Sequence, residues 1–138
     1  KSNLMSSMSI AASRLRQVHP HNPVSINKAD AAKLGIANGD AIELSTPGGS
    51  LRGVALVRAG IAPGAVAIEH GYGHKQLGAV AHVVDGKATH ANPQHGNGVN
   101  LNALGFADPT RPAKDNVWIE WVSGAVVRQG LPVRVRKV

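Results

Sequence analysis

Between Ile26 and Gly71 a turn former interrupts the chain every few residues: INKADAAKLGIANGDAIELSTPGGSLRGVALVRAGIAPGAVAIEHG. That spacing leaves no room for long helices. Asn27 is suited to capping a helix N-terminus, since its side-chain oxygen can accept from a free first-turn amide. Asp30 then sits in the first turn, where negative charge suits the helix dipole. Gly35 supplies a left-handed stop, after which Ile36 can fold back on Ala31. Asn38-Gly39-Asp40 reads as a turn, Ala41 to Thr46 as a strand, Pro47-Gly48-Gly49 as a tight reversal and Leu51 to Arg58 as the return strand. Pro63-Gly64 turns the chain into a third strand, Ala65 to Glu69. The stretch predicts a short capped helix leading into a β-meander.

The flanks are more polar. Lys1 to Ser13 reads as a loop, and Arg14 to Val18 as a short strand or turn. The segment His19-Pro20-His21-Asn22-Pro23 holds Asn22 extended ahead of proline. From Gln76 to Asn102 the composition is Gly, Asn, His and Ala, with one strand-like run at Ala79 to Val84. Loops of this length in a compact domain are commonly functional. Asp115 to Val122 and Ala125 to Arg128 read as a hairpin across Ser123-Gly124. In Pro132 to Val138 the alternation sends Val133 and Val135 inward and Arg134 and Arg136 to water. Residues 51–57 (LRGVALV) are apolar on both faces, as in a wall covered outside as well. Six or seven short strands with so many Gly/Pro turns predict a closed barrel or sandwich. With 138 residues, 43% of them hydrophobic and only 3% aromatic, this is one domain with an aliphatic core.

The chemistry available is narrow. Without cysteine the segment offers no disulfide, thiolate or Fe–S ligand. No run approaches the ~20 apolar residues of a membrane-spanning helix. His70 and His74 have the i, i+4 spacing of a helical metal pair, but Gly71 and Gly73 undermine the helix that spacing needs. His19, His21, His82, His90 and His95 are scattered, and no carboxylate pair stands out. The net charge of +7 fits a solvated basic surface or attraction to a polyanion. No basic run is interleaved with aromatics, which argues against nucleic acid. Two segments could hold a ligand. One is His70-Gly71-Tyr72-Gly73-His74, whose glycines permit close backbone approach and whose Tyr72 ring could stack. The other is Gly96-Asn97-Gly98-Val99-Asn100, whose amides offer donor and acceptor together. Ordinary Asn/Gly turns would have the same composition.

The order of "HPHNPVSIN", "KADAAKLGI", "NGD", "STPGGSLRG", "APGAVAIEHGYGH" and "GNGVNLNAL" resembles the C-terminal molybdopterin-dinucleotide-binding domain of the dimethyl sulfoxide reductase superfamily. Within it, "SINKADAAKLGI" and "IEHGYGHKQLGA" are most like the tetrathionate-reducing branch. The resemblance covers Lys1 to Asn102 and a closing strand at Pro132 to Val138. It implies a mainly β fold, a six-stranded double-psi β-barrel of the aspartate-decarboxylase-like kind, with one or two short helices. It also implies that residues 1–138 are one domain excised from the C-terminus of a larger enzyme.

The implied cofactor is bis-molybdopterin guanine dinucleotide with molybdenum, held jointly with upstream domains of the same chain. The implied reaction moves electron pairs to or from a sulfur oxyanion such as tetrathionate. The metal ligand comes from an upstream domain in such proteins, so no catalytic or metal-binding residue is expected here and the isolated domain should be inactive. Lys1, Ser2 and Asn3 align with a loop of small polar residues on the guanine dinucleotide. In the "G-N-x-x-N-x-L" region Asn100 is the better match to a cofactor-contacting Asn, and Asn97 the second. The resemblance further implies iron–sulfur and membrane-anchor subunits, a periplasmic or outer-face location, and no nucleic-acid partner. One departure is the stretch Thr110 to Gly130, with Trp118 and Trp121, which follows Asp108-Pro109 before the last strand. Gly49-Ser50 also resembles the self-cleaving pair of pyruvoyl-forming aspartate decarboxylase, although an ordinary turn would use the same residues. The alternative is a stand-alone double-psi-barrel interaction domain that docks a protein or nucleic acid through a basic face.

Overall fold

A computed structural model describes residues 12–76, 78–105, 112, 119, 120, 122–126 and 129–138. Within these the chain forms α1 (Ser13–Val18), β1 (Val24–Asn27), α2 (Lys28–Lys33), β2 (Ala41–Thr46), β3 (Gly49–Arg58), β4 (Val66–Ala67), β5 (Val83–Val84), β6 (Lys87–Ala88) and β7 (Arg134–Lys137). Two 3-10 turns, Pro93–Gly96 and Leu101–Leu104, lie between β6 and β7.

The helix of the opening stretch forms for the reasons its sequence gives. The Asn27 side chain accepts from the Ala29 amide at 2.8 Å, and Asp30 lies in the first turn. At the other end Gly35 adopts φ +64°. The Ile36 amide then bonds the Ala31 carbonyl at 2.8 Å and the Gly35 amide bonds Ala32 at 3.2 Å, the paired bonds of a Schellman stop. Residues 14–18, by contrast, are helical rather than strand or turn. Arg16 is the one residue of α1 that is buried, so apolar periodicity could not announce this helix.

The main sheet has the order β4-β1-β3-β2-β7. β2 and β3 form the expected hairpin, Thr46 opposite Gly49 and Ser45 opposite Ser50. Gly49-Ser50 therefore belongs to an ordinary antiparallel ladder. β1 runs parallel to β3, Val24 opposite Ala55, and antiparallel to β4. β7 closes on β2 with Leu44 opposite Val135. As the alternation predicted, Arg134 and Arg136 are exposed while Val135 is half-buried. β3 departs from its sequence pattern: Leu51 and Ala55 are buried, but Val54 on the other face is exposed. The described sheet is open, its edges β4 and β7.

Val24, Ile26, Ile42 and Leu44 have no more than 1% exposure and form the centre of the core with Ala31, Ile36, Leu51, Ala55 and Leu104. Complete burial of each large aliphatic side chain contributes about 1.5–3 kcal/mol. The core is aliphatic throughout, as the composition required. β5 and β6 form a separate small hairpin; the longer strand expected over Ala79 to Val84 shrinks to two residues, both exposed, and His82 beside it is exposed too. The second expected hairpin is present at its tip, where Ile119 bridges Val126 and Glu120 accepts from the Val122 and Ser123 amides. Trp118, Trp121, Asp108 and Pro109 lie outside the described residues.

Candidate functional site

The two glycine/asparagine segments meet. The Gly73 amide donates to the Asn97 carbonyl at 2.9 Å, and the His74 amide to the His95 carbonyl at 3.3 Å. Contact this close needs glycine. At Gly73, with φ +64°, a Cβ would lie 2.5 Å from the Asn100 nitrogen and 2.6 Å from the Val99 carbonyl carbon. At Gly98, with φ +84°, a Cβ would lie 2.9 Å from the Tyr72 Cβ. The glycines thus admit a neighbouring backbone, where the sequence pattern suggested that they admit a ligand.

Asn22 and Arg16 lock this junction. Asn22, 2% exposed, donates to the carbonyls of Glu69 at 2.5 Å and Val99 at 3.0 Å. Its oxygen accepts from the Val99 amide at 2.7 Å. Arg16 donates to the Gly71 carbonyl at 2.7 Å and lies 4.2 Å over the Tyr72 ring. This corrects the expected stacking role of Tyr72. The ring is 1% exposed and its face carries a guanidinium of the same chain, a cation–π contact strengthened by burial. The Tyr72 hydroxyl donates to the His19 carbonyl at 3.1 Å and sits 2.9 Å from His19 Nδ1. Burial, with the Glu69 charge adding, pushes the phenol pKa up against the opposing pull of Arg16, so Tyr72 stays a neutral donor.

Beside the junction opens a cavity of about 610 Å³. Leu44, Val66 and Leu104 contribute apolar walls, and His70, His74 and Asn100 polar ones. Gly71 and Tyr72 also line it. His74 Nε2 is buried and has no hydrogen-bond partner among the described residues. The Asn100 oxygen accepts from the Asn102 amide at 3.0 Å, capping the Leu101–Leu104 turn. Its amide donors remain for a ligand acceptor. That turn is held from the far side by the β2–β3 hairpin: Thr46 donates its hydroxyl to the Leu104 carbonyl, and Gly48 packs so closely that a Cβ there would lie 2.9 Å from the same oxygen.

Of the expected ligand residues, His70, Gly71, Tyr72, His74 and Asn100 therefore line one cavity. Gly73 and Asn97 do not line it; they bond each other behind it. Lys1, Ser2 and Asn3 lie outside the described residues. No cluster of three His, Asp or Glu side chains placed to hold a metal occurs among the described residues. Sequence reasoning overlooked Arg16 and Asn22, whose partners lie 55, 47 and 77 residues away.

A small β module whose far-apart glycine/asparagine segments converge on one cavity is built to hold a ligand. The chain belongs to the molybdopterin dinucleotide binding domain family, whose model, described as "Molydopterin dinucleotide binding domain", matches residues 2–117. The match replaces the alternative of a stand-alone interaction domain. The chain is 46% identical over all 138 residues to the A subunit of tetrathionate reductase from Salmonella typhimurium, of which it spans 13%. It is 34% identical over 113 residues to ArrA, the molybdopterin-containing subunit of the Chrysiogenes arsenatis arsenate respiratory reductase, 82% of this chain and 12% of that one. Among solved structures, acetylene hydratase from Pelobacter acetylenicus shares the fold with a TM-score of 0.58 at 19% identity, covering 90% of this chain and 15% of that one. The chain thus spans about an eighth of the curated relatives it matches over most of its length.

Proposed function

We propose that the cavity beside the Gly73–Asn97 junction holds the nucleotide end of a bis-molybdopterin guanine dinucleotide, shared with further domains of a larger molybdenum oxidoreductase that acts on tetrathionate or a related sulfur oxyanion. The observation that carries this reading is the convergence of His70, His74 and Asn100 on one cavity in a chain whose family takes this cofactor. The residues present fit such a group. His74 brings a buried ring nitrogen without a hydrogen-bond partner among the described residues, and Asn100 brings amide donors, both suited to phosphate or base oxygens. The apolar floor at Leu44 and Leu104 excludes water from one side of the ligand. Lys1, Ser2 and Asn3 would add small polar contacts to the guanine end.

Molybdenum, when bound, supplies the two-electron chemistry; this chain supplies orientation and electrostatics. Its net charge of +7 favours a ligand carrying a pyrophosphate. No residue here is assigned a catalytic role, and the domain by itself is inactive in this reading. The sheet closes into a six-stranded double-psi barrel, a reading supported by the parallel β1–β3 pair and by Val66 of β4 and Val133 next to β7 lining the same cavity. The larger enzyme works with iron–sulfur and membrane-anchor subunits at the outer face of the membrane, a proposal supported by the likeness to the Salmonella typhimurium tetrathionate reductase.

Titration of GDP into the chain, followed by amide chemical shifts, tests the assignment. The amides of His70, Tyr72, His74 and Asn100 should move together and saturate at one concentration. Shifts confined to Arg134 and Arg136 on β7 would instead mark nonspecific anion binding and sink the assignment.

A further inference from the structure

We propose that Asn22 is the positioning residue of this site: one buried carboxamide sets the spacing between the His70–His74 and Asn97–Asn100 segments, and through it the affinity for the nucleotide. The inference rests on the dinucleotide reading for its ligand and on the hydrogen-bond geometry for the rest. All of the side chain's polarity is spent on the two segments. Nδ2 bonds the Glu69 and Val99 carbonyls, and Oδ1 takes the Val99 amide. Each contact stands one residue before a cavity-lining side chain, Glu69 before His70 and Val99 before Asn100. A shift of the clamp therefore passes directly to the groups offered to a ligand.

The position demands this side chain. Aspartate lacks both donors, serine has one, and glutamine carries an extra methylene. There is no space for that methylene: Gly98 approaches so closely that a Cβ on it would lie 3.2 Å from the Asn22 nitrogen. The two segments are otherwise tied by backbone bonds at Gly73 and His74. Without the clamp they would be correctly paired for only part of the time, and apparent affinity falls by that fraction. If they are paired one time in ten, the loss is about tenfold.

The test is a double-mutant cycle with GDP as the probe, using Asn22→Ala, Asn100→Ala and the pair. Each single change should weaken GDP binding about tenfold, and the pair should be scarcely weaker than either, since Asn100 contributes only when it is positioned. A pair whose losses multiply, about a hundredfold, overturns the proposal. Amide hydrogen exchange gives the second readout. Asn22→Ala should accelerate exchange at Val99 and Gly73 while leaving Leu44 at its wild-type rate; equal acceleration at all three would show a merely structural residue and overturn the proposal. Should Asn22→Ala fail to fold, Asn22→Ser keeps one hydroxyl in the same place and is judged by the same two readouts. If wild-type protein shows no GDP shifts at the cavity, the dinucleotide reading fails by itself, and the exchange pattern still decides whether Asn22 sets the spacing.

Discussion

Gly73 and Gly98 show how much of the site is fixed by what is missing from a side chain. Both have left-handed backbones, and both stand where a methyl group would enter a neighbouring segment. Gly73→Ala therefore combines φ strain with a backbone clash that no rotamer relieves. It should destabilise the chain by about 2 kcal/mol, read as a lower urea midpoint, and should remove the GDP response at Asn100. The residues legible in the sequence were those with local partners. Asn27 caps two residues ahead, and Gly35 stops the helix it follows. Asn22 and Arg16 were not legible, because nothing within several residues of either hints at a partner. A buried arginine facing a tyrosine ring across 56 positions leaves no trace in composition or period.

Among the elements, α2, β2 and β3 followed from capping and turn chemistry almost residue by residue. α1 did not, because its buried position is filled by Arg16 and not by an apolar stripe. β7 followed from alternation, and its attachment to β2 has an electrostatic component. Arg136 binds Glu43 at 2.7 Å and Lys137 binds Asp40 at 2.5 Å. The hydrogen bond from Arg136 leads in holding the Glu43 carboxyl below its usual range, and that from Lys137 does the same for Asp40. A carboxyl with a lower folded-state pKa stabilises the fold above its unfolded pKa and loses that contribution as pH falls through the folded value. Stability should thus decline with acidification below about pH 4.5. Glu43→Gln should flatten that decline, as seen in urea midpoints measured across the acid range. A slope unchanged by the substitution would remove this pair from the account of β7.

At the scale of the molecule, the order β4-β1-β3-β2-β7 joins strands that are not consecutive in the chain. No period or turn signal encodes that order; the family resemblance supplied the barrel that periodicity alone could not choose. Leu44 is where the whole arrangement converges. It pairs with Leu51 and Val135 in register, has no exposure and forms part of the cavity floor. Leu44→Ala should cost about 3 kcal/mol, measurable by urea unfolding, and should weaken the nucleotide response as the floor relaxes. A variant that loses stability yet binds GDP with wild-type affinity would separate the floor from the ligand.

The span of the Asn22 clamp has a consequence for the order of assembly. Its two partners arrive 47 and 77 residues later in the chain, so during synthesis the carboxamide waits until most of the polypeptide has left the ribosome. Contacts between residues so distant in sequence form late, after nearer pairings have lowered the entropy of closing the loop. The cofactor pocket is thus among the last parts of the domain to take shape, and a nascent chain cannot capture its dinucleotide before the surrounding sheet is in place.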